Sequence, residues 1–140
     1  MVLANFAKVS DNMVDVQQAG WSFIGPEPFS FFVAGVALCP WHEANQKHEM
    51  KVELLDADGA AVPNPETGQP LMVSATFEIG RPPGTKPGAS MPMPFAFQFG
   101  MAEPEAGAQY EIRVSVDGEH RDDWRLPFTV RDAPVQAQAA

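Results

Sequence analysis

The stretch Tyr110-Glu111-Ile112-Arg113-Val114-Ser115-Val116-Asp117-Gly118, followed by Trp124-Arg125-Leu126-Pro127-Phe128-Thr129-Val130, decides the fold class. Apolar and polar residues alternate through both segments, so each reads as a strand with one buried and one solvated face. A polar connection containing Asp117-Gly118 joins them. Pro127 has no amide hydrogen, which places the last strand at a sheet edge or on a bulge.

The same reading extends backward along the chain. Phe95, Phe97 and Phe99 alternate with Ala96 and Gln98, and Val73, Ala75, Phe77 and Ile79 alternate with Ser74, Thr76 and Glu78. Met50, Val52 and Leu54 alternate with Lys51 and Glu53, ending at Asp58-Gly59, a hairpin turn signal. A first strand falls at residues 3–9, then a turn at Ser10-Asp11-Asn12, then a return through residues 13–24 in which Gly20 marks a bulge. Residues 29–38 are apolar on both faces. This suits either a central strand covered on each side or a strand whose outer face meets a partner. Pro40 opens the one segment where a helical turn fits, residues 41–48, because proline is preorganised for a first helical position. Residues 80–88 carry prolines that cannot donate to a ladder and read as an extended, partly polyproline-like surface loop.

About eight short strands and no long helix predict an all-β chain, an antiparallel β-sandwich of the immunoglobulin-like or a related Greek-key kind. With 140 residues, one domain at residues 1–132 and a flexible C-terminal tail at residues 133–140 account for the whole chain. Cys39 has no second cysteine to pair with and lies among apolar neighbours, so a buried reduced thiol is expected. No basic and apolar leader opens the sequence, and the apolar run at residues 31–39 is too short to span a bilayer; a cytoplasmic protein without membrane contact is expected. A net charge of -9 with scattered Lys and Arg excludes the basic stripe that a nucleic-acid partner requires.

Taken in order, Gly20-Trp21-Ser22-Phe23, Pro40-Trp41-His42-Glu43-Ala44-Asn45 with His48, Leu54-Leu55-Asp56-Ala57-Asp58-Gly59, Gly80-Arg81-Pro82-Pro83-Gly84 and Asp122-Asp123-Trp124-Arg125-Leu126-Pro127-Phe128 carry a resemblance. They are similar to an uncharacterised family of small bacterial β-sandwich proteins, a domain family of unknown function. The closing pair of strands resembles the final hairpin of many immunoglobulin-like sandwiches. The resemblance implies a fold and a bacterial or phage-like setting, and it brings no catalytic residues.

Sites for catalysis fail on spacing. His42-Glu43-Ala44-Asn45-Gln46 begins like a zinc protease motif, but the second histidine is needed four residues after the first and position 46 is Gln. His48 stands six residues on, off that helical face, where it can pair with Asn45. Asp56, Asp58 and Gly59 open like a calcium loop, yet Ala60 and Thr67 stand where oxygen ligands belong, leaving a hairpin turn; calcium bridging Asp residues of separate loops is the alternative. Residues 119–123 read as a solvated charged turn, and neither a serine elbow nor a phosphate loop is present. No enzyme activity, metal or cofactor is expected.

Two binding readings remain. The first is protein contact or self-association through the proline loop, with Arg81, Pro82, Pro83 and Lys86 on a rigid backbone and Met91 and Met93 just beyond; its alternative is a crossover loop with the methionines tucked into the sandwich edge. The second is a small-ligand site for a carbohydrate or metabolite around Trp41, Asn45 and His48. The favoured function is a non-enzymatic interaction or structural accessory module in a larger assembly.

Overall fold

Nine strands and one 3₁₀ turn form along residues 1–132, the residues that the computed structural model describes. The tail assigned to residues 133–140 lies outside the described residues. The strands are β1 (Val2–Ser10), β2 (Met13–Ala19), β3 (Phe23–Ile24), β4 (Phe29–Cys39), β5 (Lys47–Asp56), β6 (Met72–Glu78), β7 (Met91–Met101), β8 (Gln109–Val116) and β9 (Glu119–Val130). The 3₁₀ turn, Trp41–Glu43, follows β4. Among the described residues no helix is long and apolar enough to cross a membrane.

Two sheets pack face to face, one of four strands in the order β2-β1-β4-β7 and one of five in the order β3-β9-β8-β5-β6. The all-β sandwich expected from alternation is therefore the fold. Its pairings are antiparallel except for β3 against β9 at Phe23–Ile24, a parallel contact. The inward residues of both sheets form the core, with Phe31, Val33, Val52, Leu54, Ile112 and Val130 fully buried.

Turn chemistry sets the hairpins. Asp11 and Asn12 take φ of 52° and 58°, the doubly left-handed geometry that a two-residue β1–β2 hairpin requires. Asp117 and Gly118, at 52° and 80°, do the same between β8 and β9. At the β5 turn the Asp56 carboxylate accepts from the amides of Asp58 and Ala60, so this acid caps a turn.

One end of the sandwich is closed by aromatic rings. Trp21 stands edge-on to Phe31 at 5.8 Å and to Phe128 at 5.9 Å, Phe31 stacks on Phe99 at 5.7 Å, and Tyr110 stacks on Phe128 at 5.6 Å. Such pairs add to area burial. The Tyr110 hydroxyl accepts from the amide of Glu105 and fixes the approach to β8.

Three expectations are corrected. Residues 13–24 are not one bulged strand: β2 ends at Ala19, Gly20 turns the chain at φ +91°, and β3 continues in the other sheet. The one short helical turn expected near residues 41–48 does form, as the 3₁₀ turn Trp41–Glu43, and goes no further because Asn45 takes φ +59° and Lys47 already begins β5. The proline loop is folded, not extended. Thr85 donates its amide to the Pro82 carbonyl and Ala89 to the Lys86 carbonyl, with Gly84 and Gly88 both at φ +87°. These are two successive Pro-Gly turns of the kind that needs a positive φ at the third residue. Residues 119–123 are not a turn; they belong to β9, bulged so that two steps along β8 (Arg113 to Ser115) match five along β9 (Arg125 to His120).

Pro127 fits its edge. Thr129 and Arg131 donate to Ser22 and Ile24, so the nitrogen of Pro127, in the same phase, faces the side where β3 gives no partner. Phe31→Ala is expected to lower unfolding free energy by about 3–5 kcal/mol in urea melts. Phe32→Ala, on the outer face of the same strand, should lose less.

Candidate functional site

At the end opposite the aromatic cluster the two sheets leave a cleft of about 520 Å³ between them. Ala37, Cys39 and Phe95 line it from the four-stranded sheet, and Met50, Val114 and Trp124 from the five-stranded one. His42 and Glu43 of the 3₁₀ turn, with Arg121 and Asp123 of the β9 bulge, stand at its rim. Burial raises the Cys39 thiol pKa, and the nearby Glu43 charge raises it further, so the thiol stays neutral and unreactive.

His48 holds this end together. The imidazole is 7% exposed at the first inward position of β5. Nδ1 stands 2.7 Å from Asp117 Oδ2, and Nε2 stands 2.8 Å from the carbonyl oxygen of Glu43. A carboxylate and a carbonyl oxygen only accept. A neutral ring has one N–H and would leave one contact unmade, so the geometry selects the imidazolium with both nitrogens donating. The Asp117 hydrogen bond, then the Glu43 carbonyl, raises the His48 pKa against the opposing effect of burial. Asp117 is held below the usual carboxylate range, first by His48 and then by the Glu49 amide, which donates to Oδ1 at 2.9 Å. One side chain thus ties β5, the 3₁₀ turn and the β8–β9 hairpin into one corner.

The sequence-selected residues divide between two places. Of Trp41, Asn45 and His48, only His48 lines the cleft. Asn45 donates its amide to the Ile79 carbonyl and anchors the backbone after the turn. Trp41 carries the Arg81 guanidinium over its ring at 4.2 Å, and the same guanidinium donates to the Trp41 carbonyl at 2.6 Å. The two segments expected to serve separate sites therefore touch each other. Met91 is 3% exposed and Met93 half-buried, both on the inward face of β7, which leaves Arg81, Pro82, Pro83 and Lys86 as the outward part of that loop. Among the described residues no three His, Cys, Asp or Glu side chains converge as a metal site would need.

Sequence reasoning missed Asp117 as a partner of His48. It sits in a hairpin turn 69 residues away, and only the β5–β8 register brings it near.

Two antiparallel-rich sheets enclosing a hydrophobic core, with an apolar cleft at one end, define a β-sandwich domain. The chain belongs to the family of unknown function DUF6941, matched over residues 1–131. Nothing among the curated proteins or the solved structures matches it significantly.

The sign of the pH dependence follows from the two shifts. His48, raised, contributes stability that is complete below its unfolded pKa and is lost as pH rises through the folded value. Asp117, depressed, contributes stability that is complete above its unfolded pKa and is lost as pH falls through the folded value. The pair therefore stabilises most between about pH 4 and 6.5. Thermal melts should show Tm falling from pH 6 to pH 8.5, and His48→Gln should flatten that slope; an equal slope in the variant would contradict the assignment.

Proposed function

We propose that this domain is a non-enzymatic protein-interaction module, a cytoplasmic accessory subunit of a larger assembly. The observation that supports it is the contrast between the two outer faces. On the five-stranded sheet the outward residues of the central strands are charged, with Lys51, Glu53, Arg113 and Arg125 along neighbouring strands and Glu111 paired to Arg113 at 2.8 Å, and the exposed large apolar residues Phe23 and Met72 lie apart on its two edge strands. On the four-stranded sheet the register turns Phe6, Met13, Val36 and Leu38 outward, and they are 41%, 63%, 53% and 68% exposed. Phe6 and Phe32 pack edge to face at 5.3 Å on this surface, and Lys8 beside Asp15 is its one opposed charge pair. Apolar side chains of this size along one sheet face, Phe6 and Met13 toward one end and Val36 and Leu38 toward the other, nearly uncharged in a chain of net charge -9, mark a contact surface. Exposed Val36 and Leu38 on the outer side of β4 support the partner-facing alternative for the two-sided pattern of residues 29–38.

A small-ligand role is the second reading, favoured by the apolar cleft beside His48. It differs in locating function inside the sandwich.

The test is crosslinking of the full chain in its native extract, followed by mass spectrometry. A stoichiometric partner is expected with the wild type and lost at least tenfold in a Phe6→Ser, Met13→Ser double variant that keeps the wild-type circular dichroism. Equal recovery by wild type and variant would refute the outer face as the contact surface.

A further inference from the structure

The four-stranded sheet is incomplete beside the cleft. β7 pairs with β4 along its whole length, from Phe29 opposite Met101 to Cys39 opposite Met91. On the other side β1 pairs with β4 at three positions, Val2 with Ala34, Leu3 with Val33 and Ala4 with Phe32. Beyond that contact, residues 36–39 have no strand on their β1 side among the described residues, although β4 is central in the sheet. Their backbone donors and acceptors on this side form an open edge. Val36, Ala37, Leu38 and Cys39 also line the cleft, so the edge and the cavity are one groove.

We propose that this groove is a strand-addition site that takes an extended, β-branched segment of a partner protein, antiparallel to β4 and in line with β1. An apolar cavity alone would fit many small molecules. The open edge narrows the choice, because a row of backbone amides and carbonyls is satisfied by another backbone at about 4.8 Å spacing. Antiparallel addition opposite residues 36–39 sends alternate side chains to opposite faces. Those opposite Ala37 and Cys39 enter the cleft toward Met50, Val114 and Trp124; those opposite Val36 and Leu38 join the exposed outer face. Inward positions accordingly select apolar side chains of Val or Ile size, and four paired residues span about 13 Å. The net charge of -9 favours Lys or Arg at the ends of the segment. This inference rests on the interaction reading and names its partner class.

The experiment titrates the full chain with the synthetic peptide Lys-Val-Thr-Val-Thr-Val-Lys and follows backbone amide exchange by NMR together with tryptophan fluorescence. Saturable binding is expected, with exchange at the edge amides of residues 36–39 slowed at least tenfold. A peptide N-methylated at alternate residues, which removes the pairing donors, should bind at least tenfold more weakly. A variant carrying a Val-Thr-Val-Thr extension ahead of Met1, positioned by the β1 register to fill the groove, should lose the peptide while staying folded. Absence of saturable binding overturns the proposal. Equal binding of the N-methylated peptide also overturns it and makes the cleft a small-amphiphile pocket. Concentration-dependent protection of these amides without peptide overturns it in favour of a second copy. These outcomes are independent of the Phe6 and Met13 variant, which lies outside the groove, so the groove can fail while the outer-face reading stands.

Discussion

The two sheets of this domain are held at both ends by different physics, and the rest of the structure depends on that difference. At one end Trp21, Phe31, Phe99, Tyr110 and Phe128 fill the space between the sheets with rings in edge and stacked contact. At the other the rings give way to a cleft, and the sheet corners are fixed by His48 donating to Asp117 and to the Glu43 carbonyl. Dispersion and hydrophobic burial close the first end, and a charge-assisted hydrogen-bond pair stabilises the second. A protein interior is otherwise close-packed, so the open end stands out as the place where the chain gives up packing.

That opening coincides with the end of β1. Since β1 pairs with β4 only from Phe32 to Ala34, residues 36–39 have no strand on that side among the described residues, where the sheet also loses core. The outward apolar residues Val36 and Leu38 lie on the same four residues. Backbone edge, cavity and exposed side chains thus meet at one corner, and their common chemical requirement is an extended chain with apolar side chains.

The fold was legible because period-two alternation is local. Residues 110–116 and 124–130 announce their buried face in the sequence itself, and Asp117-Gly118 announces its turn. What escaped reading was non-local. The passage of the chain from β2 to β3 depends on Gly20 at positive φ and on Trp21 finding its ring partners, and the sequence shows a glycine without saying which sheet follows. The proline loop misled because prolines exclude a strand equally well in an extended coil and in Pro-Gly turns; Gly84 and Gly88, each directly after a proline, decide for turns only through their φ. At the site, His48 was singled out beside Asn45 on helical spacing, whereas its partner came from a hairpin joined to it by strand register. Arg81 and Trp41, chosen for separate roles, turned out to form one contact.

A strand-addition groove requires residues 36–39 of β4 to be an uncovered edge in the free protein. Native-state amide hydrogen exchange of the isolated chain measures this directly. The amides of residues 32–34, flanked by β1 and β7, should exchange at rates set by global unfolding, and the amides of residues 36–39 that face away from β7 should exchange at least a hundredfold faster. Uniform protection along the whole of β4 would mean that the edge is already covered, and would contradict the groove.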